Sequence, residues 1–319
     1  MTRFVKMALL AGAMLLPLAG PASAQADKPL TILESVPGLT FPFFVHMMNQ
    51  MKAEAEAQGN ITVIESDGQV SSPKQTADIE AAITQGVDGI VISPNEVDAM
   101  APALQQAVEA NIPVVTIDRR VDAVEGILAH VGADNVKGGE AQAELIMKLF
   151  PDGATVMNLQ GQSGASPAID RNQGLHNVLD KAADKYKIVF EDTAGFDRAK
   201  GLAMTESALA GMDTPPDVIV AANDDMALGA MEAVRGRELA GKVAIIGFDA
   251  LPEALAQVRD GGLTATIEQF PGEQSRTAVQ ILVSHLRDGA APAEKVKLLT
   301  PVAITKDNLD TAERLSEAQ

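Results

Sequence analysis

The feature that most constrains the fold is a pair of short apolar runs that each end in an aspartate. Residues 112–119 read IPVVTIDR, and residues 243–249 read VAIIGFD. Neither run alternates polar and apolar side chains, a pattern typical of parallel strands buried on both faces. Ligands of open α/β sheets lie just outside the carboxyl ends of the strands. We therefore predict that Asp118 and Asp249 face one crevice from two similar lobes.

The rest of the chain alternates strand-like runs with longer segments of helical periodicity, and the loops are short. This alternation predicts βαβ units and an α/β fold with parallel sheets. The second half repeats the plan of the first, since residues 88–93 (DGIVIS) resemble residues 217–223 (DVIVAAN). Each of these runs precedes a predicted helix and then one of the Asp-ended strands. The repetition places Ser93 and Asn223 at equivalent strand ends.

The first residues have the pattern of an export signal. Residues 1–24 contain two basic side chains, an apolar stretch and a final Ala-Ser-Ala. This pattern predicts a secretory signal peptide that is cut before Gln25. A transmembrane anchor is the weaker reading, because the apolar stretch is shorter than the roughly 20 residues that a span needs. An exported chain without cysteine predicts a protein of the Gram-negative periplasm.

Composition excludes several classes of function. The formal net charge is −18, and it becomes −20 without the two basic residues of the predicted signal. An acidic surface repels phosphate backbones, so we expect no nucleic-acid partner. The chain has no cysteine, which excludes disulfides, a lipoprotein anchor and thiolate chemistry. Its four histidines are scattered without metal-ligand spacing, so no metal site is predicted.

Sequence motifs of cofactor binding and catalysis are absent. The chain contains no G-x-G-x-x-G, no phosphate-binding loop and no G-x-S-x-G. We therefore predict no cofactor and no enzymatic activity. A secreted carbohydrate-active enzyme that uses Asp118 and Asp249 as an acid/base pair remains an alternative, supported only by the two carboxylates.

Aromatic side chains are scarce but concentrate at predicted strand ends. Phenylalanine, tyrosine and tryptophan make up 3% of the chain, and there is no tryptophan. Phe41, Phe43 and Phe44 directly follow the first strand, while Phe196 and Phe248 lie at strand–helix junctions. Rings at these places suit the apolar C–H faces of a sugar, although any single one could belong to the core. Neighbouring carboxylate, guanidinium and amide groups could bind the hydroxyls by charge-assisted hydrogen bonds.

At these residues the chain resembles the type I sugar-binding proteins of bacterial ABC importers, the family of the periplasmic ribose-binding protein. The resemblance covers nearly all of the chain after the signal. It rests on the segments at residues 41–45, 110–119, 133–136, 159–161, 196–202, 223–230, 247–249 and 265–269.

The resemblance implies two doubly wound parallel-sheet lobes joined by a three-stranded hinge that closes on one monosaccharide. One lobe would comprise residues 28–132 and 270–298, and the other residues 133–269 and 299–319. The implied ligand-binding residues are Phe43, Phe44 and Phe196 around the sugar ring, with Phe248 beside it, and Asp118, Arg119, Arg171, Asn223, Asp249 and Gln269 at its hydroxyls.

The chain departs from the ribose type at several positions of the predicted site. Phe41 and Ser93 each stand where the ribose-type pattern has asparagine, and Ala133 replaces a serine at the hinge. Such changes remove partners for hydroxyls and add apolar bulk. They favour another pentose, a hexose or a sugar alcohol over ribose.

The predicted function is therefore a monomeric periplasmic receptor that delivers a sugar or polyol to the permease of an ABC importer. A ligand-binding role in chemotaxis is compatible with the same pattern. A sugar-responsive repressor shares the architecture, but it would need a basic DNA-binding helix at the N-terminus, where this chain has an export signal.

Overall fold

The computed structural model describes residues 28–318, so the predicted signal peptide at residues 1–24 lies outside the described part of the chain. Within it, short strands alternate with helices over most of the length. The strands are β1 (Leu30–Val36), β2 (Ile61–Asp67), β3 (Gly89–Ile92), β4 (Val114–Ile117), β5 (Ala129–Ala133), β6 (Ala154–Gln160), β7 (Tyr186–Thr193), β8 (Val218–Ala221), β9 (Ala244–Ile246), β10 (Thr266–Glu268), β11 (Val296–Leu299) and β12 (Val302–Ile304).

The helices follow the strands in regular order, and short 3₁₀ turns complete the C-terminal segment. None of the helices within residues 28–318 has both the length and the apolar character needed to cross a membrane. The helices are α1 (Pro42–Gln58), α2 (Ser72–Gln85), α3 (Val97–Glu109), α4 (Asn135–Leu149), α5 (Ser166–Leu179), α6 (Arg198–Gly211), α7 (Asp224–Gly236), α8 (Pro252–Asp260) and α9 (Pro271–Asp288).

Two parallel sheets form the centres of two lobes. The six-stranded sheet has the order β11-β5-β4-β3-β1-β2, and the four-stranded sheet has the order β7-β6-β8-β9. Every residue of β3, β4 and β8 is buried, as the unbroken apolar runs predict. We call the part built on the six-stranded sheet the N-terminal lobe and the part built on the four-stranded sheet the C-terminal lobe. The predicted fold class is confirmed.

The chain passes between the lobes at three places. β5 lies in the first sheet, but the helix that follows it, α4, packs against α5 of the other lobe. β10 pairs with β12 in a separate antiparallel pair, after which α9 packs on the first sheet. The third passage separates β11 from β12. The residue limits assigned to each lobe in the sequence analysis stay a prediction.

Local details differ from the sequence-based expectations. The pair Ser72 and Pro73 predicts a helix capped by Ser72, but Ser71 is the cap of α2, because the Ser71 hydroxyl accepts the Lys74 N–H at 3.3 Å. β11 and β12 were not predicted as strands. Both are short and carry exposed apolar side chains, among them Val296 and Leu298, so they lack the buried pattern that marks the inner strands.

Candidate ligand-binding site

The carboxyl ends of the inner strands bring the predicted polar residues to one place between the lobes. Asp118 and Arg119 follow β4, while Asp249 lies three residues beyond β9. Asn223 follows β8 and caps α7, since its Oδ1 accepts the Met226 N–H at 3.0 Å. In each lobe, polar side chains leave the sheet where its strands end and helices begin. This is the edge at which α/β sheets bind ligands.

A single cavity joins these residues. It encloses about 370 Å³ of space between protein atoms, part of it open to solvent. The lining residues are Phe41, Phe43, Phe44, Asp118, Arg119, Pro167, Arg171, Phe196, Asn223, Asp225, Asp249 and Gln269.

Three lining residues adopt the left-handed backbone conformation that side chains other than glycine rarely occupy. The φ angles are 56° at Asp118, 63° at Phe196 and 114° at Asp249. Such conformations cost on the order of 1–3 kcal/mol each and persist where the surrounding structure fixes them, often at functional sites. Their concentration around one cavity supports a binding role for it.

In the N-terminal lobe, Asp118 and Arg119 form a buried pair. Arg119 Nε lies 3.8 Å from Asp118 Oδ2, which also accepts a hydrogen bond from the Ser93 hydroxyl at 3.1 Å. Arg119 Nη1 donates to the carbonyl of Asn95 at 2.6 Å and to Gln162 Oε1 at 3.2 Å. The guanidinium is thus held in one orientation, with its Nε side free of a protein hydrogen bond.

In the C-terminal lobe, Arg171 and Asp249 form the matching pair. Arg171 Nη1 lies 3.5 Å from Asp249 Oδ1 and donates to the carbonyl of Ala222 at 2.6 Å. Arg171 Nε donates to Asn135 Oδ1 at 2.8 Å. Gln269 Nε2 donates to Asp249 Oδ1 at 2.6 Å. Each lobe therefore presents one acid beside one guanidinium.

Burial shifts the titration of all four charged groups. It raises the pKa of Asp118, against the opposing effect of Arg119, and it raises the pKa of Asp249 to about 8 despite Arg171. It also lowers the pKa of Arg119 to about 10 and lowers that of Arg171. Buried charges are costly unless they are paired and hydrogen-bonded. Hydroxyl groups placed among them would supply further hydrogen bonds.

Aromatic rings enclose the two guanidinium groups. The Arg119 guanidinium carbon lies 5.3 Å from the ring centroid of Phe44 and 5.6 Å from that of Phe196. The Arg171 guanidinium carbon lies 3.5 Å from the ring centroid of Phe248. Planar guanidinium groups stack favourably on such faces, which fixes their donors in place.

The cavity retains an unused donor and an unused acceptor. Arg119 Nε and Gln269 Oε1 are buried and have no hydrogen-bond partner within the described chain. A hydroxyl group both donates and accepts, so a polyhydroxylated molecule can satisfy both atoms. Because each guanidinium already has a carboxylate beside it, the arrangement suits an uncharged ligand.

The structure brings all but two of the predicted site residues into the cavity lining. The exceptions, Ser93 and Phe248, lie one layer back, where Ser93 donates to Asp118 and the Phe248 ring stacks on Arg171. The sequence analysis missed Pro167 and Asp225. Pro167 lies one helical turn before Arg171 and so shares its face of α5, a spacing that could have indicated it.

Two glycines leave room for the aromatic rings. A Cβ atom at Gly161 would lie 2.2 Å from Phe196 Cζ, and one at Gly138 would lie 2.6 Å from the Phe248 ring. Both distances are far below van der Waals contact. The rings can occupy their positions beside the guanidinium groups only because these two residues have no side chain.

We expect Gly161→Ala to weaken ligand binding about tenfold, because the added methyl displaces Phe196 from the cavity wall and overpacking of this kind costs roughly 1–3 kcal/mol. Calorimetric titration of the variant measures the effect. Gly211→Ala is the matched control, since a Cβ there meets no atom within 4 Å. Equal affinities for the two variants would contradict the role assigned to Gly161.

Further contacts join the lobes at the rim without lining the cavity. Arg120 forms a salt bridge with Asp170 through both carboxylate oxygens, and its backbone N–H donates to the Ser166 hydroxyl at 3.0 Å. The Val97 N–H donates to the Gly164 carbonyl at 2.9 Å. These bonds connect the loop after β4 and the start of α3 in the N-terminal lobe to the start of α5 and the loop before it in the C-terminal lobe, and we call them the rim contacts.

No group of three or more potential metal-ligating side chains occurs within residues 28–318. The donors that line the cavity are carboxylate, guanidinium and amide groups. They are the groups expected for recognition of hydroxyls.

Comparison with known proteins gives consistent matches along the chain. Residues 34–291 match the model of a periplasmic binding protein domain. The ribose import binding protein of Bacillus subtilis is 41% identical over 79% of this chain and 80% of its own, and that of Escherichia coli is 35% identical over 93% and 96%. A solved structure of a Caulobacter myo-inositol binding protein bound to myo-inositol superposes with a TM-score of 0.87, at 42% identity over 90% of this chain and 97% of that one.

Proposed function

Because the chain belongs to the periplasmic binding protein family and is a solute-binding protein of the sugar-importer class, we propose that its cavity captures one uncharged polyhydroxylated ring for an ABC importer. The observation that carries this proposal is the convergence of one acid–guanidinium pair from each lobe on a single cavity. A ligand that bonds to both pairs favours the closed arrangement, since only there do both lobes reach it.

The ligand that fits best is a six-membered ring with hydroxyls on all sides, and myo-inositol is the first candidate. Phe41 and the small side chain of Ser93 make the N-terminal lobe less polar than the ribose-type pattern predicts. The Caulobacter structure at 42% identity contains myo-inositol, which supports the same choice. Ribose is the second candidate because the ribose import binding proteins are similar over most of the chain.

Further parts of the proposal concern location and assembly. Relatives of this family are periplasmic proteins, and we propose export by a signal peptide at residues 1–24, action as a monomer and a membrane permease as partner. The predicted ligand contacts are proposed for the ten predicted site residues that line the cavity, with Ser93 and Phe248 supporting Asp118 and Arg171. An acid/base role for Asp118 and Asp249 is less favoured, since each already has a guanidinium and an amide or hydroxyl partner.

Thermal unfolding with a panel of sugars and polyols tests the function. A ligand at about 100 times its dissociation constant should stabilise the folded chain by roughly 2.7 kcal/mol and raise Tm by several degrees. We expect myo-inositol to give the largest rise, and a sugar phosphate to give none because a carboxyl group already lies beside each guanidinium. Calorimetry supplies the affinities, since the chain has no tryptophan to report binding. A panel without any stabilising member would contradict the proposed function.

A further inference from the structure

The loop that carries Asp249 has an unusual backbone. Asp249 and Ala250 have φ angles of 114° and 50°, so two consecutive residues other than glycine lie in the left-handed region. Residues in such conformations are strained and keep them only when surrounding groups hold them. Something beyond the cavity must therefore fix this turn.

The holding groups are the side chains of Asp224 and Thr266. Asp224 Oδ2 accepts the Leu251 N–H at 2.8 Å, and Asp224 Oδ1 accepts the Thr266 hydroxyl at 2.7 Å. The Thr266 oxygen in turn accepts the Ala250 N–H at 3.2 Å. Both side chains are completely buried. Two successive N–H groups of the strained turn thus depend on this one pair.

Backbone bonds attach the same turn at its start. The Asp224 N–H donates to the Phe248 carbonyl at 2.7 Å, and the Asp249 N–H donates to the Ile267 carbonyl at 2.8 Å. A Cβ atom at Gly247 would lie 2.1 Å from Asp224 Oδ1, so only glycine leaves room for the carboxylate at this point. The turn is connected to α7 on one side and to the crossing strand β10 on the other.

Asp224 itself does not line the cavity, although its neighbours Asn223 and Asp225 do. Its carboxylate points to the turn behind Asp249 instead. The hydrogen bonds of Asp224 and Thr266 to the turn give both side chains a route to the cavity through the position of Asp249. Resting on the proposed function, we propose that Asp224 and Thr266 are positioning residues that aim Asp249 at the ligand hydroxyls and so set which ring configuration is accepted.

Matched variants of Thr266 test this inference with myo-inositol and its ring epimers as probes. Thr266→Val keeps the shape but removes the hydroxyl, which leaves the Ala250 N–H without an acceptor, and affinity should fall about tenfold. Thr266→Ser keeps the hydroxyl and should retain affinity within about threefold of the unchanged chain. The ratio of affinities for two epimers should change in Thr266→Val and remain the same in Thr266→Ser.

A double-mutant cycle separates positioning from general loosening of the fold. In an Asp249→Ala background, Thr266→Val should have no further effect on affinity, because the group that it positions is gone. The same loss in both backgrounds would overturn the inference. If Thr266→Val does not fold, Thr266→Ala removes the same hydroxyl without a branched methyl.

A crystal structure of the Thr266 variant supplies a readout that needs no ligand. We expect residues 249–250 to leave their positive φ angles, and an unchanged turn would contradict the inference. Absence of binding by the unchanged chain would instead contradict the proposed function. Normal binding with an unaltered Thr266→Val affinity would contradict the positioning role alone.

Discussion

Replacing Arg171 by methionine should lower ligand affinity a hundredfold or more. The substitution removes the guanidinium beside Asp249, the stack on Phe248 and the donors to Asn135 and Ala222. Truncating one member of a buried, hydrogen-bonded charge pair costs about 2–5 kcal/mol in binding, because the remaining charge stays buried without its partner. Removing Arg171 takes away the charge that opposes the effect of burial, so the pKa of Asp249 should rise further and its carboxyl group should stay protonated over a wider pH range. Calorimetric titration with myo-inositol measures the loss.

Arg237→Met is the matched control for this experiment. Arg237 is exposed, follows the C-terminal end of α7, does not line the cavity and donates to the Glu206 carbonyl at 3.0 Å. It changes the net charge by the same amount, so it reports any effect of overall charge alone. We expect its affinity to equal that of the unchanged chain. An Arg171→Met affinity within about threefold of this control would mean that the pair with Asp249 does not bind the ligand.

Replacing Glu34 by methionine should stabilise the protein, and more strongly as the pH rises from 5 to 8. Glu34 lies in the middle of β1, fully buried on the face that packs on α1, and neither carboxylate oxygen has a hydrogen-bond partner within the described chain. Burial, reinforced by Glu65, raises the pKa of Glu34 from 4.5 to about 8. The folded protein therefore holds a proton that the unfolded chain releases.

The sign of the pH dependence follows from that difference. Between about pH 4.5 and 8 the unfolded state binds fewer protons than the folded state at this position, so stability falls as pH rises. The contribution is about 1.4 kcal/mol per pH unit, which makes a difference of several kcal/mol near pH 8. Glu34→Met removes this loss and fills the same space with an apolar side chain.

Chemical denaturation at several pH values measures the effect as the difference in unfolding free energy between Glu34→Met and the unchanged chain. Glu65→Met is the matched control, because Glu65 lies opposite Glu34 on the neighbouring strand but is partly exposed and paired with Lys52 at 2.8 Å. Because Glu65 only reinforces the effect of burial on the pKa of Glu34, the control should show a gain with pH that is much smaller than that of Glu34→Met. A pH-independent difference for Glu34→Met would show that its carboxyl group does not keep its proton in the folded state.

The positions of the site residues in the sheet could be predicted from the sequence because they depend on local pattern. The uninterrupted apolar runs that end in Asp118 and Asp249 identify inner strands of parallel sheets, and the carboxyl ends of such strands meet at one edge. The aromatic residues after the first strand were found in the same way. The aspartates and the aromatic residues line one cavity because of the order of the strands, which the alternation of strands and helices already implied.

Other features depend on contacts between distant segments and could not be predicted from the sequence. Ser93 and Phe248 are at strand ends like the rest, yet each lies behind another side chain, and only the packing of helices decides this. The left-handed turns at Asp118, Phe196 and Asp249 leave no pattern in the sequence, because residues other than glycine seldom adopt them. Strands β11 and β12 owe their conformation to partners far along the chain rather than to their own composition.

The rim contacts have a consequence for release. The salt bridge of Arg120 with Asp170 and the hydrogen bond from Val97 to Gly164 exist only in the closed arrangement, because each joins residues of different lobes. These contacts lengthen the lifetime of every closed complex to the same degree, whichever solute it contains. Release of the solute to a transporter therefore requires the rim contacts to break as well as the contacts with the solute. Weakening the salt bridge of Arg120 with Asp170 should shorten the residence time of the solute without altering which solute is preferred.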